Sequence, residues 1–155
     1  MGFILILLVI QATILPMVFT GSHRPDFLLA AVVSAGLLFG KETAIGVGFF
    51  AGLFQDLASG NIFGLNLLPK MLVGYLFGLA ERNVFKESIL LPLFAVMAAT
   101  VIQNLFTMFF LILSGYPVGI FEYLLHQIMP VAFFNMLAAI PVHYVIYHYS
   151  RRQVE

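Results

Sequence analysis

Long, unbroken apolar runs divided by short polar breaker clusters constrain this chain more than any other feature. The breakers are Gly21-Ser22-His23-Arg24-Pro25-Asp26, Gly40-Lys41-Glu42, Ser59-Gly60-Asn61, Glu81-Arg82-Asn83 and Ser114-Gly115-Tyr116-Pro117, all turn or helix-stop compositions. Only 9% of the 155 residues are charged, whereas a soluble domain carries about a quarter. Such a chain is suited to lipid. There every backbone polar group must be satisfied internally, which leaves helices or a closed barrel. The runs lack the in-out alternation of barrel strands, so they read as helices.

Six spans are expected in one membrane domain covering 1–155, at about 2–20, 27–39, 43–57, 62–79, 88–113 and 118–149. Crossing a bilayer takes roughly 20 residues. The second and third spans are therefore short, and the second must tilt little or be sheltered by its neighbours. The sixth is long enough to kink at Pro130 or Pro141 or to continue into the cytoplasm. The first run lacks a basic leader and exceeds a signal-peptide apolar core, so it reads as a retained helix. Lys41, Arg82, Lys86, Arg151 and Arg152 fall on the side of the N-terminus, and Arg24 falls on the other. That bias predicts both termini in the cytoplasm. Merging the second and third spans would bury Lys41 and Glu42 in mid-membrane, at high cost.

Several function classes drop out. Seven Lys and Arg balance seven Asp and Glu, so nothing draws the chain to nucleic acid. Cysteine is absent, which removes disulfides, thiolate nucleophiles and Cys-based metal sites. No G-x-S-x-G, H-E-x-x-H or P-loop is present. Asp56 is the one aspartate within the bundle proper, too few for an aspartyl dyad. The expectation is a protein with no catalytic residues, no metal ligands and no cofactor. Its loops also leave no room for a soluble domain.

Glycine pairs spaced by four recur at Gly36/Gly40, Gly48/Gly52, Gly60/Gly64, Gly74/Gly78 and Gly115/Gly119. That spacing lets helix backbones approach closely, within the chain or against a partner's helix. Ionisable groups form a second pattern. Arg24, Asp26, Asp56, Lys70, Glu122 and His126 are expected to gather in the outer half of the bundle, with Lys70 about midway along the fourth span. Asp56 and Lys70 are a candidate pair, and Glu122 and His126, four apart, share a helix face. Gln103, Asn104, Asn66 and Asn135 can add hydrogen bonds. Three readings stay open for this cluster: mutual neutralisation that fixes helix register, an outward-opening small-molecule pocket, or a docking point for a partner. Two ligands at i, i+4 without a third do not make Glu122 and His126 a metal site.

One series of these motifs resembles a known family. It runs from Arg24-Pro25-Asp26-Phe27-Leu28-Leu29, through Gly48-x-x-x-Gly52-Leu53-x-x-Asp56-x-x-x-Gly60-x-x-x-Gly64, to Gly74-Tyr75-x-x-Gly78. In order and spacing it is similar to MreD, the rod shape-determining membrane proteins of bacteria, over roughly the first half of the chain. Lys70 has no counterpart in that pattern. The resemblance implies a non-enzymatic, multi-pass protein of the bacterial cytoplasmic (inner) membrane. Such a protein belongs to the cell-wall elongation complex, where it binds MreC and supports peptidoglycan synthesis. The wider assembly contains MreB, RodA and its transpeptidase. In fold it implies an all-α bundle like the substrate-binding subunits of energy-coupling-factor transporters. Carried onto this sequence, Pro25 would start the second span, and Asp26 would cap it. Gly52, Gly60 and Gly64 would permit a tight hairpin anchored by Asp56, and Gly74 and Gly78 would admit a neighbouring helix. The rival class is a vitamin-type binding subunit of a membrane transporter.

Overall fold

The computed structural model describes residues 2–18, 24–60, 62–80, 90–117 and 119–152. The expected span ends at 19–20, 88–89 and 118, the loop carrying Arg82 and Lys86, and the side chains of Arg151 and Arg152 lie outside the described residues. Among the described residues all regular structure is helical and forms six helices. Helix α1 runs Gly2–Val9, then through a π-helical segment Ile10–Ile14 to Leu15–Val18. Helices α2 to α5 are Phe27–Phe39, Lys41–Ser59, Leu67–Leu79 and Leu90–Leu113. Helix α6 runs Ile120–Tyr123, a second π-helical segment Leu124–Ile128, and Met129–Arg152. Among the described residues two helices are long and apolar enough to cross a membrane: α5, and α6 over Ile120–Ser150.

Two boundaries differ from the sequence reading. Helix α3 begins at Lys41 and ends at Ser59, because Gly40 (φ 85°) turns the chain out of α2 in a single residue. Lys41 and Glu42 are thus its exposed first turn. Helix α4 begins at Leu67, since residues 63–66 are spent in turns. Lys70 therefore sits in the first turn of α4 and not midway along a span.

The short α2 is the axis of the bundle. Its 13 residues span only about 20 Å. Every residue from Leu28 to Leu38 is buried, and all five other helices touch it. A helix apolar on every side is a core helix. Neighbouring helices surround it, so its length need not match the thickness of a bilayer.

Glycine sets the closest approach in the molecule. On α3, Ala44, Gly48, Ala51, Gly52 and Asp56 form the buried stripe. On α4 the stripe is Lys70, Val73, Gly74 and Gly78. The two stripes face each other. A Cβ at Gly48 would stand 2.6 Å from the Lys70 carbonyl oxygen, and one at Gly74 would stand 2.5 Å from that of Ala44. At Gly52 and Gly78 a Cβ would strike the backbones of Leu67 and Lys41. These faces are filled within the chain, so the glycines are not open to a partner's helix. Gly60 (φ 63°) ends α3 in the left-handed conformation, and Gly64 (φ 102°) continues the turn.

The two π-helical segments have a common cause. Each ends two residues before a proline, Pro16 or Pro130. Proline has no N–H, and its ring clashes with the carbonyl four residues earlier, here that of Ala12 or His126. The wider π turn accommodates the misfit just upstream. Pro141, by contrast, lies inside the regular stretch Met129–Arg152.

Gly52→Ala or Gly78→Ala should destabilise the bundle by about 1–3 kcal/mol, the usual cost of overpacking. Gly46, whose added Cβ would meet nothing within 4 Å, is the control: Gly46→Ala should be neutral or gain up to ~1 kcal/mol of helix propensity. Reversible unfolding in detergent measures both.

Candidate functional site

Lys70 is the largest fully buried side chain among the described residues. It is held inside because its backbone lies on the glycine-bearing stripe of α4 that faces the bundle. Its Nζ donates to Asp26 Oδ2 at 2.6 Å and to Gln103 Oε1 at 3.1 Å. Gln103 Nε2 in turn donates to Asp26 Oδ2 at 3.2 Å. The charge pair thus carries a polar side chain of α5 bonded to both members.

Asp26 also caps α2. Its Oδ1 accepts from the Leu29 N–H (2.9 Å) and from Gln11 Nε2 (3.3 Å). Gln11 Oε1, reaching from the π-helical part of α1, accepts the Leu28 N–H at 3.3 Å. Two orphan N–H groups of the α2 N-terminus are thereby met. The Asp26 N–H donates to Asn135 Oδ1 of α6 at 2.6 Å, and Asn135 Nδ2 donates to Thr100 Oγ1 of α5 at 2.9 Å. Asn135 and Thr100 are fully buried. One network therefore joins α1, the start of α2, α4, α5 and α6.

Asp56 stands apart from this network, and the Asp56–Lys70 pairing is corrected. Its carboxylate accepts the N–H groups of Gly64 (2.8 Å), Asn66 (3.0 Å) and Leu67 (3.2 Å) and the Asn66 side-chain amide (2.9 Å). The reason is the late start of α4. Asn66, its N-cap residue, makes no side-chain cap bond, so a carboxylate from the preceding helix takes that place at the positive helix end. Asp56 anchors the α3–α4 hairpin.

The remaining candidates divide. Pro25 is buried beside Asp26, and Arg24 is exposed. Glu122 and His126 are both exposed, with His126 inside the second π segment. They are not brought to the Lys70–Asp26 pair. Among the described residues no three His, Asp or Glu side chains are placed to hold a metal ion.

Beside the network lies a cavity of about 400 Å³ bounded by α1, the 24–26 segment, α3, α5 and α6. Arg24, Asp26, Gln11, Gln103 and Asn135 line it, together with Gln55, Asn104 and Gln127. Gln11, Gln55 and Gln127 escape a reading based on charge. Gln11 is a lone carboxamide inside an apolar run, whereas Gln55 and Gln127 adjoin the ionisable Asp56 and His126. A separate polar contact, His143 Nδ1 to Ser34 Oγ at 3.1 Å, ties α6 to the middle of α2.

Lys70→Met alone should destabilise the protein by about 3–5 kcal/mol, because it leaves the Asp26 carboxylate buried without its cation. The double variant Lys70→Met/Asp26→Asn should recover a large part of that loss. A double-mutant cycle from unfolding curves measures the coupling.

The family model described as rod shape-determining protein MreD matches residues 1–153. No curated protein and no solved structure matches the chain. A match over nearly the full length extends the resemblance of the first half through α5 and α6: the chain belongs to the MreD family of rod shape-determining proteins.

Proposed function

We propose that the protein is a non-enzymatic scaffold of the bacterial cell-wall elongation machinery, embedded in the cytoplasmic membrane as six helices with both termini inside. It binds the bitopic protein MreC. Through it the chain supports peptidoglycan synthesis by the assembly that includes MreB, RodA and its transpeptidase. Family membership supplies the role in rod shape.

The observation that carries the mechanism is the uncovered flank of α5. Pro92, Ala95, Val96, Ala99 and Thr100 face inward. Leu90, Phe94 and Met97 near one end and Leu105, Phe109 and Ile112 near the other are exposed apolar side chains on the opposite side, with half-buried residues between them. The glycine faces are consumed between α3 and α4, so lateral contact with a partner's transmembrane helix falls to these apolar side chains. In lipid such contact gains from van der Waals packing and not from hydrophobic burial. A rigid interior favours the same role. The buried charges are paired, and the carboxylates are committed to cation or backbone N–H groups. Neither is free to act as a general base.

The test is recovery of MreC with the chain in mild detergent. Phe94→Ala/Phe109→Ala should lower recovery several-fold, the effect of one or two kcal/mol at an interface, while leaving the melting temperature near that of the parent. Lys41→Ala, exposed in the first turn of α3, should change neither. Depletion in a rod-shaped host should produce spheres. Unchanged cell shape, or co-purification of ATPase subunits in place of MreC, overturns the reading.

A further inference from the structure

We propose that the cavity beside the Lys70–Asp26 network is a binding site for a polyol or sugar headgroup, with Arg24 placed at its rim for an attached phosphate. The inference does not rest on MreC binding, which concerns the opposite, uncovered side of α5.

The lining chemistry selects the ligand. Six carboxamides border one space of about 400 Å³: Gln11, Gln55, Gln103, Asn104, Gln127 and Asn135. That volume falls among ordinary small-molecule sites, which run from about 300 to 1,000 Å³. A planar carboxamide offers an acceptor and donors side by side, which matches adjacent hydroxyls. Among the described lining residues the one carboxylate, Asp26, is neutralised by Lys70 at 2.6 Å, and the remaining charge is that of Arg24. An acyl chain in the same space would leave Gln55 Oε1 without a donor, whereas Gln11, Gln103, Asn104 and Asn135 already hydrogen-bond within the chain.

Two further observations point to an occupant. Gln55 Oε1, on this lining, is buried and accepts no hydrogen bond from any described residue. Such an atom is costly unless a donor reaches it, and a hydroxyl is that donor. Both π-helical segments of the molecule border the cavity, one giving Gln11 and Ala12 and the other Gln127. π-Helical insertions concentrate at functional sites, and here two of them re-aim carboxamides at one space. Arg24 is exposed on the same lining. It leaves a cation where the link between a headgroup and a lipid anchor would emerge.

Native mass spectrometry of the full chain in an oxyethylene detergent, which carries neither sugar nor phosphate, gives the test. The probes are phosphatidylinositol, phosphatidylglycerol, phosphatidylcholine and free myo-inositol. Phosphatidylinositol should be retained about tenfold over phosphatidylcholine, a difference well within reach of two or three hydrogen bonds. Gln55→Leu and Gln127→Leu should each remove most of that preference. Gln55→Leu should nevertheless melt no lower than the parent when empty, since it deletes an unsatisfied atom; a structural role for Gln55 would give the reverse. Arg24→Gln should weaken phosphatidylinositol and leave free inositol unchanged. Retention of free inositol without any preference for phosphatidylinositol supports the same site with a soluble ligand. Equal retention of all three lipids with no retention of free inositol overturns the proposal. So does a preference untouched by either glutamine substitution; retention of phosphatidylglycerol above phosphatidylcholine supports the site, because its glycerol headgroup is also a polyol.

Discussion

Lys70 reaching Asp26 across the interior of the bundle, at 2.6 Å, is the contact on which the other arrangements depend. Neither group is tolerable alone in a low-dielectric core, and their attraction offsets the desolvation only when further hydrogen bonds complete the site. Gln103 and Gln11 complete it. The same carboxylate caps α2, so the charge pair also fixes where the axial helix begins. The position of α4 follows, because Lys70 can reach Asp26 only if α4 lies close. Gly36 permits that closeness, since a Cβ there would stand 3.0 Å from the Gly78 nitrogen of α4. Charge and small residues are two halves of one constraint: one sets which face turns inward, and the other sets how near the backbones come.

What the interior consumes decides what remains for function. The glycine faces that look suited to gripping a foreign helix are spent on the α3–α4 hairpin. Asp56 is spent on the start of α4. The membrane-length α5 keeps one side in the bundle and exposes apolar side chains toward both ends of the other. Such a committed interior suits the scaffold role proposed above. Among the described residues the buried side-chain atom left without a hydrogen bond, Gln55 Oε1, lies on the cavity.

Much of this was legible in the sequence, and for identifiable reasons. The breaker clusters marked α2 to its residue, because Pro25-Asp26 and Gly40 act through local backbone geometry. The glycine spacing indicated close packing, although not which helices would share it. Charge partnership was not legible. Asp56 and Lys70 are nearer in sequence than Asp26 and Lys70, yet the turn at 63–66 delays α4 and puts backbone N–H groups in front of Asp56. Hydrophobicity alone extended the fourth span to 62 because it does not count turn hydrogen bonds. The carboxamide lining was hidden for another reason. Gln11, Gln55 and Gln127 lie far apart in the chain and converge only through tertiary packing, helped by π turns whose sole trace is a proline downstream.

Amine modification of the folded chain in lipid nanodiscs, read by mass spectrometry, tests the central ion pair most directly. Lys41 is exposed at the start of α3, whereas Lys70 is fully buried and bonded to Asp26 and Gln103. Lys41 should be acetylated readily and Lys70 only after unfolding, or once Asp26 is replaced by Asn. Modification of Lys70 in the intact bundle at a rate like that of Lys41 would contradict a buried Lys70–Asp26 pair as the centre of the fold.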